Sequence, residues 1–178
     1  MVRSVHSSEI GASTVTGVAG SSPYPGTEAS VAQLLALAHE YHAAHNHLMV
    51  RPNSGQAHAS APARLLAIQA IELYLNAFLR NVGESPQTIR GLQHDLGKRT
   101  ALAVEKGLIL KKRTADHMMA LTATREYLSS RYGPELSSTW SNMNRIAATL
   151  KELFEKVDPL VRHALAKSYT GLSIKDAQ

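Results

Sequence analysis

The most apolar stretch of the chain, ARLLAIQAIELYLNAFLR at residues 63–80, constrains the fold more than any other feature. Its Ile68, Ile71, Leu75 and Leu79 recur at helical spacing, so the stretch predicts a central, buried helix. Hydrophobic residues make up 44% of the chain but aromatic residues only 5%, so the core is built mainly from Leu, Ala, Ile and Val. Such a core suits packed helices better than sheets.

The remaining segments also predict helices, and no hairpin or internal repeat is visible. Ser60 and Pro62 open the central helix, Gly107 closes the helix that follows Asp95, and Gly133-Pro134 ends a later one. The expected helices span about 27–49, 60–81, a short piece after 85, 95–106, 114–131 and 139–157, and Pro159 either kinks the last or begins a further piece ending at Gly171. Thr27 is the expected cap of the first helix, and Leu37 lies on its expected buried face. We therefore expect an all-α fold, an up-and-down bundle of four to six helices.

The 178 residues predict one domain with two tails. The Ser- and Gly-rich residues 1–27 show no period and are expected to form a flexible N-terminal tail, residues 28–170 the bundle, and residues 171–178 a C-terminal tail. No apolar run is long enough to cross a bilayer, and the N-terminus lacks the apolar core of a signal peptide. With no cysteine, these features favour a cytoplasmic protein without membrane contact.

The net charge of +5 is concentrated between residues 90 and 113. That window has seven basic and two acidic residues, so the rest of the chain is close to neutral. The basic residues are Arg90, Lys98, Arg99, Lys106, Lys111, Lys112 and Arg113. The window predicts either a contact for phosphates or an acidic partner, or only a solvated face.

Four histidines within AHEYHAAHNH, residues 38–47, raise the possibility of a metal site. His39, His42 and His45 share one side of the predicted helix. A helical metal site normally draws further ligands from a second helix, and no Glu-x-x-His or His-x-x-x-His pattern occurs on another one. We therefore expect histidines at the surface or at an interface, with no metal and no other cofactor.

Glu72 lies among the apolar residues of the central helix and should be buried. A buried carboxylate needs a partner, because its desolvation otherwise costs several kcal/mol. The candidate partners are His94, Arg125 and Arg131. The pair is either structural or part of a site in which the carboxylate orients a histidine or arginine.

The stretch RGLQHDLGKR, residues 90–99, has two interpretations. His94 or Asp95 can cap the helix that follows, which requires no catalysis. Alternatively, Arg90 holds a phosphate while His94 moves the proton of a ribose 2′-hydroxyl, as in a metal-independent ribonuclease. In this second interpretation Glu72, Arg90 and His94 are the catalytic residues.

Three segments in this order resemble the HEPN family (higher eukaryotes and prokaryotes nucleotide-binding). They are AIQAIELYLNAFLR (67–80), HDLGKRTALAVEKGL (94–108) and REYLSSRYG (125–133). The resemblance implies a helical bundle, often a homodimer, that is associated with RNA or nucleotides. Many members are ribonucleases of toxin–antitoxin or defence systems, and some have a nucleotidyltransferase or antitoxin partner.

The ribonuclease members of that family carry an Arg-x4-6-His motif near their late helices. In this chain Arg125 and Arg131 are followed by no histidine at that spacing: His117 precedes both, and His163 is too distant. We therefore expect a HEPN-like domain that binds RNA, a nucleotide or a partner protein without cleaving it, with a ribonuclease as the alternative. The expected phosphate-binding residues are Lys98, Arg99, Lys111, Lys112, Arg113 and Arg131.

Overall fold

A computed structural model describes residues 24–50, 55–56 and 58–173, and every regular element within them is helical. The tail expected at residues 1–27 lies outside the described residues up to position 23, as does the C-terminal tail from position 174. The elements are α1 (Val31–Met49), α2 (Ala61–Asn81), α3 (Pro86–Gly91), α4 (Leu96–Glu105), α5 (Lys112–Ala123), α6 (Glu126–Tyr132), a 3₁₀ helix (Pro134–Thr139) and α7 (Met143–Ser173). The predicted all-α bundle is confirmed for this part of the chain.

Helix α2 is the centre of the bundle. Thirteen of its 21 residues are buried, and it packs against α1, α4, α6 and α7. Tyr74, Leu75 and Leu79 are completely inaccessible to solvent, and Ile146, Leu150 and Leu153 of α7 meet them in the same core. Because most residues of α2 are apolar and buried, its packing removes a large apolar area from water and stabilises the whole bundle.

Helix α1 begins later than the sequence suggests, and its buried face agrees with the prediction only in part. Its cap is Ser30, whose side chain accepts from the Gln33 backbone N–H while the Gln33 side chain binds the Ser30 N–H. The predicted cap, Thr27, instead donates its hydroxyl to the Tyr24 carbonyl in a preceding turn. Leu35 is buried, whereas Leu37, expected in the core, is 46% exposed.

The α3–α4 corner follows its local sequence signals closely. Ser85 caps α3 ahead of Pro86, and Asp95 caps α4 by accepting from the Lys98 backbone N–H at 2.9 Å. Gly107 ends α4 with a φ of +97°, in the left-handed region that favours glycine. The predicted cap and stop signals of α4 are thus confirmed.

The prediction of a single helix from Thr114 to Arg131 is wrong, because the helix is interrupted between α5 and α6. Arg125 adopts a left-handed conformation with φ +51° and ψ +40°. The next residue, Glu126, is buried and forms an ion pair with Arg64 of α2, and it also accepts from the backbone N–H and the hydroxyl of Ser141. These tertiary bonds to Glu126 require a turn between α5 and α6, although the sequence has neither glycine nor proline at that point.

Helix α7 runs from Met143 to Ser173 with Pro159 inside it. The alternative of a separate helix after Pro159 is therefore wrong, and the C-terminal helix passes the predicted stop at Gly171. Val157 and Val161, on either side of the proline, are fully buried, so packing holds the helix together across the missing N–H. None of the helices among the described residues is both long and apolar enough to cross a membrane.

Candidate phosphate-binding groove

A groove of about 1160 Å³ lies between α1, α2, α3 and the turn that precedes α1. Its floor is one face of α2, where Glu72, Asn76 and Arg80 follow one another at intervals of four residues. Leu34 and Leu37 of α1 form an apolar wall opposite. The exposure of Leu37, unexpected for a core residue, is explained by this position.

The groove brings together all three residues that the ribonuclease interpretation named, Glu72, Arg90 and His94. They come from α2, α3 and the α3–α4 turn, and Arg99 of α4 joins them in the wall. Their assembly depends on how α4 packs on α2, since the four residues are spread over 28 positions of the chain.

Glu72 is buried, as predicted, and is bound by two partners. Its Oε2 accepts from His94 Nδ1 at 3.1 Å, and its Oε1 lies 3.3 Å from Arg99 Nη2. His94 is thus confirmed as a partner. The alternatives Arg125 and Arg131 are wrong, because Arg99 supplies the cation.

Arg99 is the most buried cation of the groove, at 2% exposure. Its Nε donates to the Asn76 side chain at 2.7 Å and its Nη2 to the Ile89 carbonyl at 3.4 Å. Burial lowers the pKa of its guanidinium, an effect that the charge of Glu72 opposes, and an arginine remains protonated nonetheless. Arg99 was predicted as a phosphate-binding residue of the basic window, and the structure places it in the lining of the groove.

Two arginine donors in the groove have no acceptor among the described residues. They are Nη1 of Arg99 and Nε of Arg80, and both atoms are buried. The remaining described bond of Arg80 runs from Nη1 to the Glu84 carbonyl at 3.2 Å. Buried donors normally find a partner, so the described residues leave the hydrogen-bonding capacity of these two lining arginines incompletely satisfied.

Arg90 is exposed at the rim of the groove. Its guanidinium carbon lies 4.1 Å from the centre of the Tyr24 ring, a cation–π contact with the turn that precedes α1. Tyr24 itself is 54% exposed, so part of its ring surface remains accessible. The rim therefore pairs an exposed positive charge with an aromatic surface.

His94 is held from two sides while its ring stays partly open. Tyr127 of α6 lies against it with ring centres 5.1 Å apart, and the Glu72 carboxylate fixes Nδ1. The side chain is 47% exposed, and Nε2 forms no hydrogen bond with a described residue. Asp95, next in the chain, caps α4: burial acts to raise its pKa, but hydrogen bonds from Lys98 outweigh that effect and lower it.

The other predicted phosphate-binding residues lie outside the groove. Lys98 pairs with Asp95, Lys112 pairs with Asp116, and the ammonium of Lys111 lies 3.9 Å from Glu152. Arg113 and Arg131 are exposed. The expected basic set is therefore divided into Arg99 in the groove and exposed cations elsewhere.

The histidines of α1 belong to helix packing. His45, expected at the surface or at an interface, is 1% exposed and donates from Nδ1 to the Ala63 carbonyl at 2.9 Å. His42 forms a hydrogen bond of 3.3 Å with the Tyr74 hydroxyl, and His39 Nε2 lies 2.8 Å from Asp158. Among the described residues, no group of three or more His, Cys, Asp or Glu side chains is arranged to hold a metal ion.

Three residues that line the groove were not predicted from the sequence: Tyr24, Asn76 and Arg80. A signal for the two α2 residues was present, because Glu72, Asn76 and Arg80 form a polar stripe at helical spacing along an otherwise apolar helix. Tyr24 carried no such signal, since it lies in a segment without periodicity.

Comparison of the chain with protein-family models, with curated proteins and with solved structures gave no match.

Proposed function

We propose that this protein binds RNA or a nucleotide, and that the ligand's phosphates occupy the groove between α1, α2 and α3. The observation that carries the proposal is a single groove lined by Arg80, Arg90 and Arg99, two of which (Arg80 and Arg99) each have a buried N–H donor without an acceptor among the described residues. Phosphate oxygens form strong, charge-assisted hydrogen bonds with guanidinium groups. The proposal agrees with the nucleotide association implied by the HEPN resemblance.

The spacing of the arginines along the groove favours a ligand with two separate binding groups, such as two phosphates or a phosphate and a base. Arg80 lies eight residues beyond Glu72 on α2, which corresponds to about 12 Å along a helix axis. Arg99 and Arg90 are near the Glu72 end of the groove. One phosphate at each end, or a phosphate at one end and a sugar and base toward the other, matches this length.

The uncharged lining favours a nucleotide over an acidic peptide of a partner protein. Gln69 and Gln93 line the groove with amides that can bind base edges. Tyr24 and Leu37 offer partly exposed aromatic and apolar surface for a base. A peptide carboxylate would use the arginines but not these groups.

The proposal is tested by titrating labelled single-stranded RNA of mixed sequence into the protein, with nucleoside monophosphates as competitors. Arg90→Ala removes an exposed groove cation, and Arg80→Ala removes one of the unpaired donors. We expect each to weaken binding roughly tenfold or more, the usual effect of losing a hydrogen bond to a charged group.

Lys151→Ala is the matched control, because Lys151 is exposed on α7, has the same charge and lies outside the groove. It should bind as the wild type does. Melting temperatures must show that all variants are folded. The proposal is overturned if neither RNA nor nucleotide binds, or if both arginine variants bind as tightly as the control.

A second candidate is the metal-independent ribonuclease, favoured by the bond between Glu72 and His94. A carboxylate that orients an imidazole is the arrangement of a general base. His94 would take the proton of the 2′-hydroxyl, the 2′ oxygen would bond to phosphorus, and the P–O5′ bond would break. The products would be a 2′,3′-cyclic phosphate and a 5′-hydroxyl end protonated from water.

Cleavage of single-stranded RNA in the presence of a chelator tests this candidate. Wild type should produce cyclic-phosphate ends and His94→Ala should not. Equal cleavage by the two proteins, or none by either, rejects the ribonuclease and leaves binding as the function.

Association with other proteins stays a prediction from the family resemblance. It comprises a homodimer and a nucleotidyltransferase or antitoxin partner in a toxin–antitoxin or defence system. Sedimentation equilibrium tests the dimer, and a monomer at micromolar concentration would contradict it.

A further inference from the structure

The bond between Glu72 and His94 determines what the free nitrogen of His94 can do. A carboxylate accepts hydrogen bonds only, so the Nδ1 that faces Glu72 Oε2 at 3.1 Å must carry the proton. When His94 is neutral, its Nε2 is therefore a bare acceptor. It can then bind a ligand only by accepting a proton or a hydrogen bond from it.

The charges around His94 favour an anion in the groove. With neutral His94, the lining arginines (Arg80, Arg90 and Arg99) exceed the lining carboxylates (Glu28 and Glu72) by one. The groups that face His94 from the packed elements are Glu72 of α2, Arg90 of α3, the neighbouring Asp95, Arg99 of α4 and Tyr127 of α6. Protonation of His94 raises the excess to two.

We infer that the groove selects a phosphate monoester, the terminal phosphate of a nucleotide or RNA strand, and that one proton is bound between His94 Nε2 and that phosphate. The inference rests on the proposed nucleotide-binding function and specifies its ligand. His94 and Arg99 both line the groove and both bind the Glu72 carboxylate, His94 through Nδ1 and Arg99 through Nη2, so the imidazole and a guanidinium are held at the same part of the groove.

A terminal phosphate fits this site better than an internal one for two reasons. It carries about −1.5 to −2 charges near neutral pH and three terminal oxygens, so it matches the two excess positive charges. It also exists partly as a monoanion with a P–OH group, which can donate to the bare Nε2. An internal diester has one charge and no proton to give.

The experiment is a calorimetric titration with short RNAs of one sequence that carry a 5′-phosphate, a 3′-phosphate or hydroxyls at both ends. At about pH 6.5, one of the phosphorylated forms should bind at least tenfold more tightly than the hydroxyl form. Its dissociation constant should rise by up to tenfold per pH unit toward about pH 8, as required when one proton is taken up on binding. Titrations in two buffers of different ionisation enthalpy measure that proton directly.

His94→Gln retains hydrogen-bonding capacity but cannot titrate, so it should bind with less than about twofold change over the same pH range. Because His94 is half exposed, this variant is expected to fold, and its melting temperature verifies that. In Glu72→Gln the tautomer of His94 is no longer fixed, so the pH dependence should weaken there as well.

The outcomes separate the two proposals. If no RNA or nucleotide binds under any condition, the proposed function fails and the inference with it. If RNA binds but the terminal phosphate makes no difference, or if His94→Gln keeps the full pH dependence, the inference alone is rejected. Preference for a terminal phosphate with a His94-dependent pH profile supports it.

Discussion

His117 is the buried histidine with the clearest consequence for stability. It is 6% exposed, its Nδ1 forms a hydrogen bond of 2.8 Å with Thr149 Oγ1, and its Nε2 is buried without a partner among the described residues. Burial, reinforced by the positive charge of Arg145, lowers its pKa from 6.5 to about 4. The folded protein therefore holds a neutral His117 at pH values where the unfolded chain binds a proton.

This pKa predicts that the free energy of unfolding falls in mild acid. Above pH 6.5 His117 is neutral in both the folded and the unfolded protein, so it does not change the free energy of unfolding. Below that pH the unfolded state takes up the proton first, so stability decreases until about pH 4, where the folded state is protonated too. At pH 5 we expect a loss of about 2 kcal/mol from this group, measured by urea unfolding against the value near pH 7.5.

His117→Gln should remove that part of the pH dependence, whereas His163→Gln, at an exposed position of α7, should not. A smaller slope of the same sign should remain in His117→Gln, because burial also lowers the pKa of His42. If the His117 variant loses as much stability at pH 5 as the wild type, the assigned pKa is wrong.

The single residue best predicted from the sequence is Glu72. A carboxylate among Ile68, Ile71 and Leu75 on a strongly apolar helix had to be buried and paired, and the sequence also indicated His94 as a partner. Arg99 was predicted as a phosphate-binding residue of the basic window and not as a partner of Glu72. Its burial follows from the register of α4 against α2, which is a tertiary property that local spacing does not contain.

The α5–α6 break is the element whose conformation departs most from its sequence. A non-glycine residue in the left-handed region costs roughly 1 kcal/mol, and Arg125 bears that cost at φ +51°. The buried bonds of Glu126 with Arg64 and Ser141 offset it. Removing one partner of a buried ion pair typically costs about 3–5 kcal/mol, so these bonds can hold the turn.

We expect Arg125→Gly to leave stability unchanged or raise it by up to about 1 kcal/mol, because glycine adopts a positive φ without a steric penalty. Arg131→Gly, in α6 and equally exposed, should lower stability by about 0.5–1 kcal/mol, since glycine is a poor helix former. Chemical denaturation of the two variants measures both changes. Destabilisation by Arg125→Gly comparable to that of Arg131→Gly would show that the side chain, not the backbone conformation, matters at position 125.

Helix ends with strong local signals were predicted well. Ser60-Pro62, Ser85-Pro86 and Asp95 all mark the starts of helices in the structure, and Gly107 marks an end. Other helix boundaries were not predicted correctly. At Arg125, tertiary bonds override the local helical preference, and at Pro159, packing keeps the helix continuous across the proline. The sequence therefore predicts the bundle and most of its boundaries, but not the groove that depends on their packing.

At the scale of the whole molecule, two sets of basic residues differ in their surroundings. Arg80, Arg90 and Arg99 line the groove, where they can form direct bonds with a ligand. A second, exposed set comprises Lys111, Lys112 and Arg113 at the start of α5, which lies outside the groove lining. The two sets should act differently, because exposed charges interact over a distance that salt shortens, to about 10 Å at 0.1 M ionic strength.

Replacing Lys111, Lys112 and Arg113 together by alanine tests the role of the exposed set. If RNA longer than the groove reaches this surface, each lost phosphate contact should reduce the slope of log binding constant against log salt by about 0.7, the value for single strands. Affinity for a long RNA should fall at low salt and converge with that of the wild type at high salt. A mononucleotide would contact only the groove, so its affinity should be the same in this variant and in the wild type.

The matched control replaces Lys151, Lys156 and Arg162 of α7, which are also exposed and carry the same total charge. A purely general loss of positive charge would lower RNA affinity equally in both triple variants, whereas a defined contact at the start of α5 lowers it only in the first. An unchanged affinity of the first variant for long RNA at low salt would restrict the ligand to the groove. If the affinity of the first variant does fall, the shortest RNA whose affinity is reduced measures the distance between the groove and the start of α5 along the bound strand.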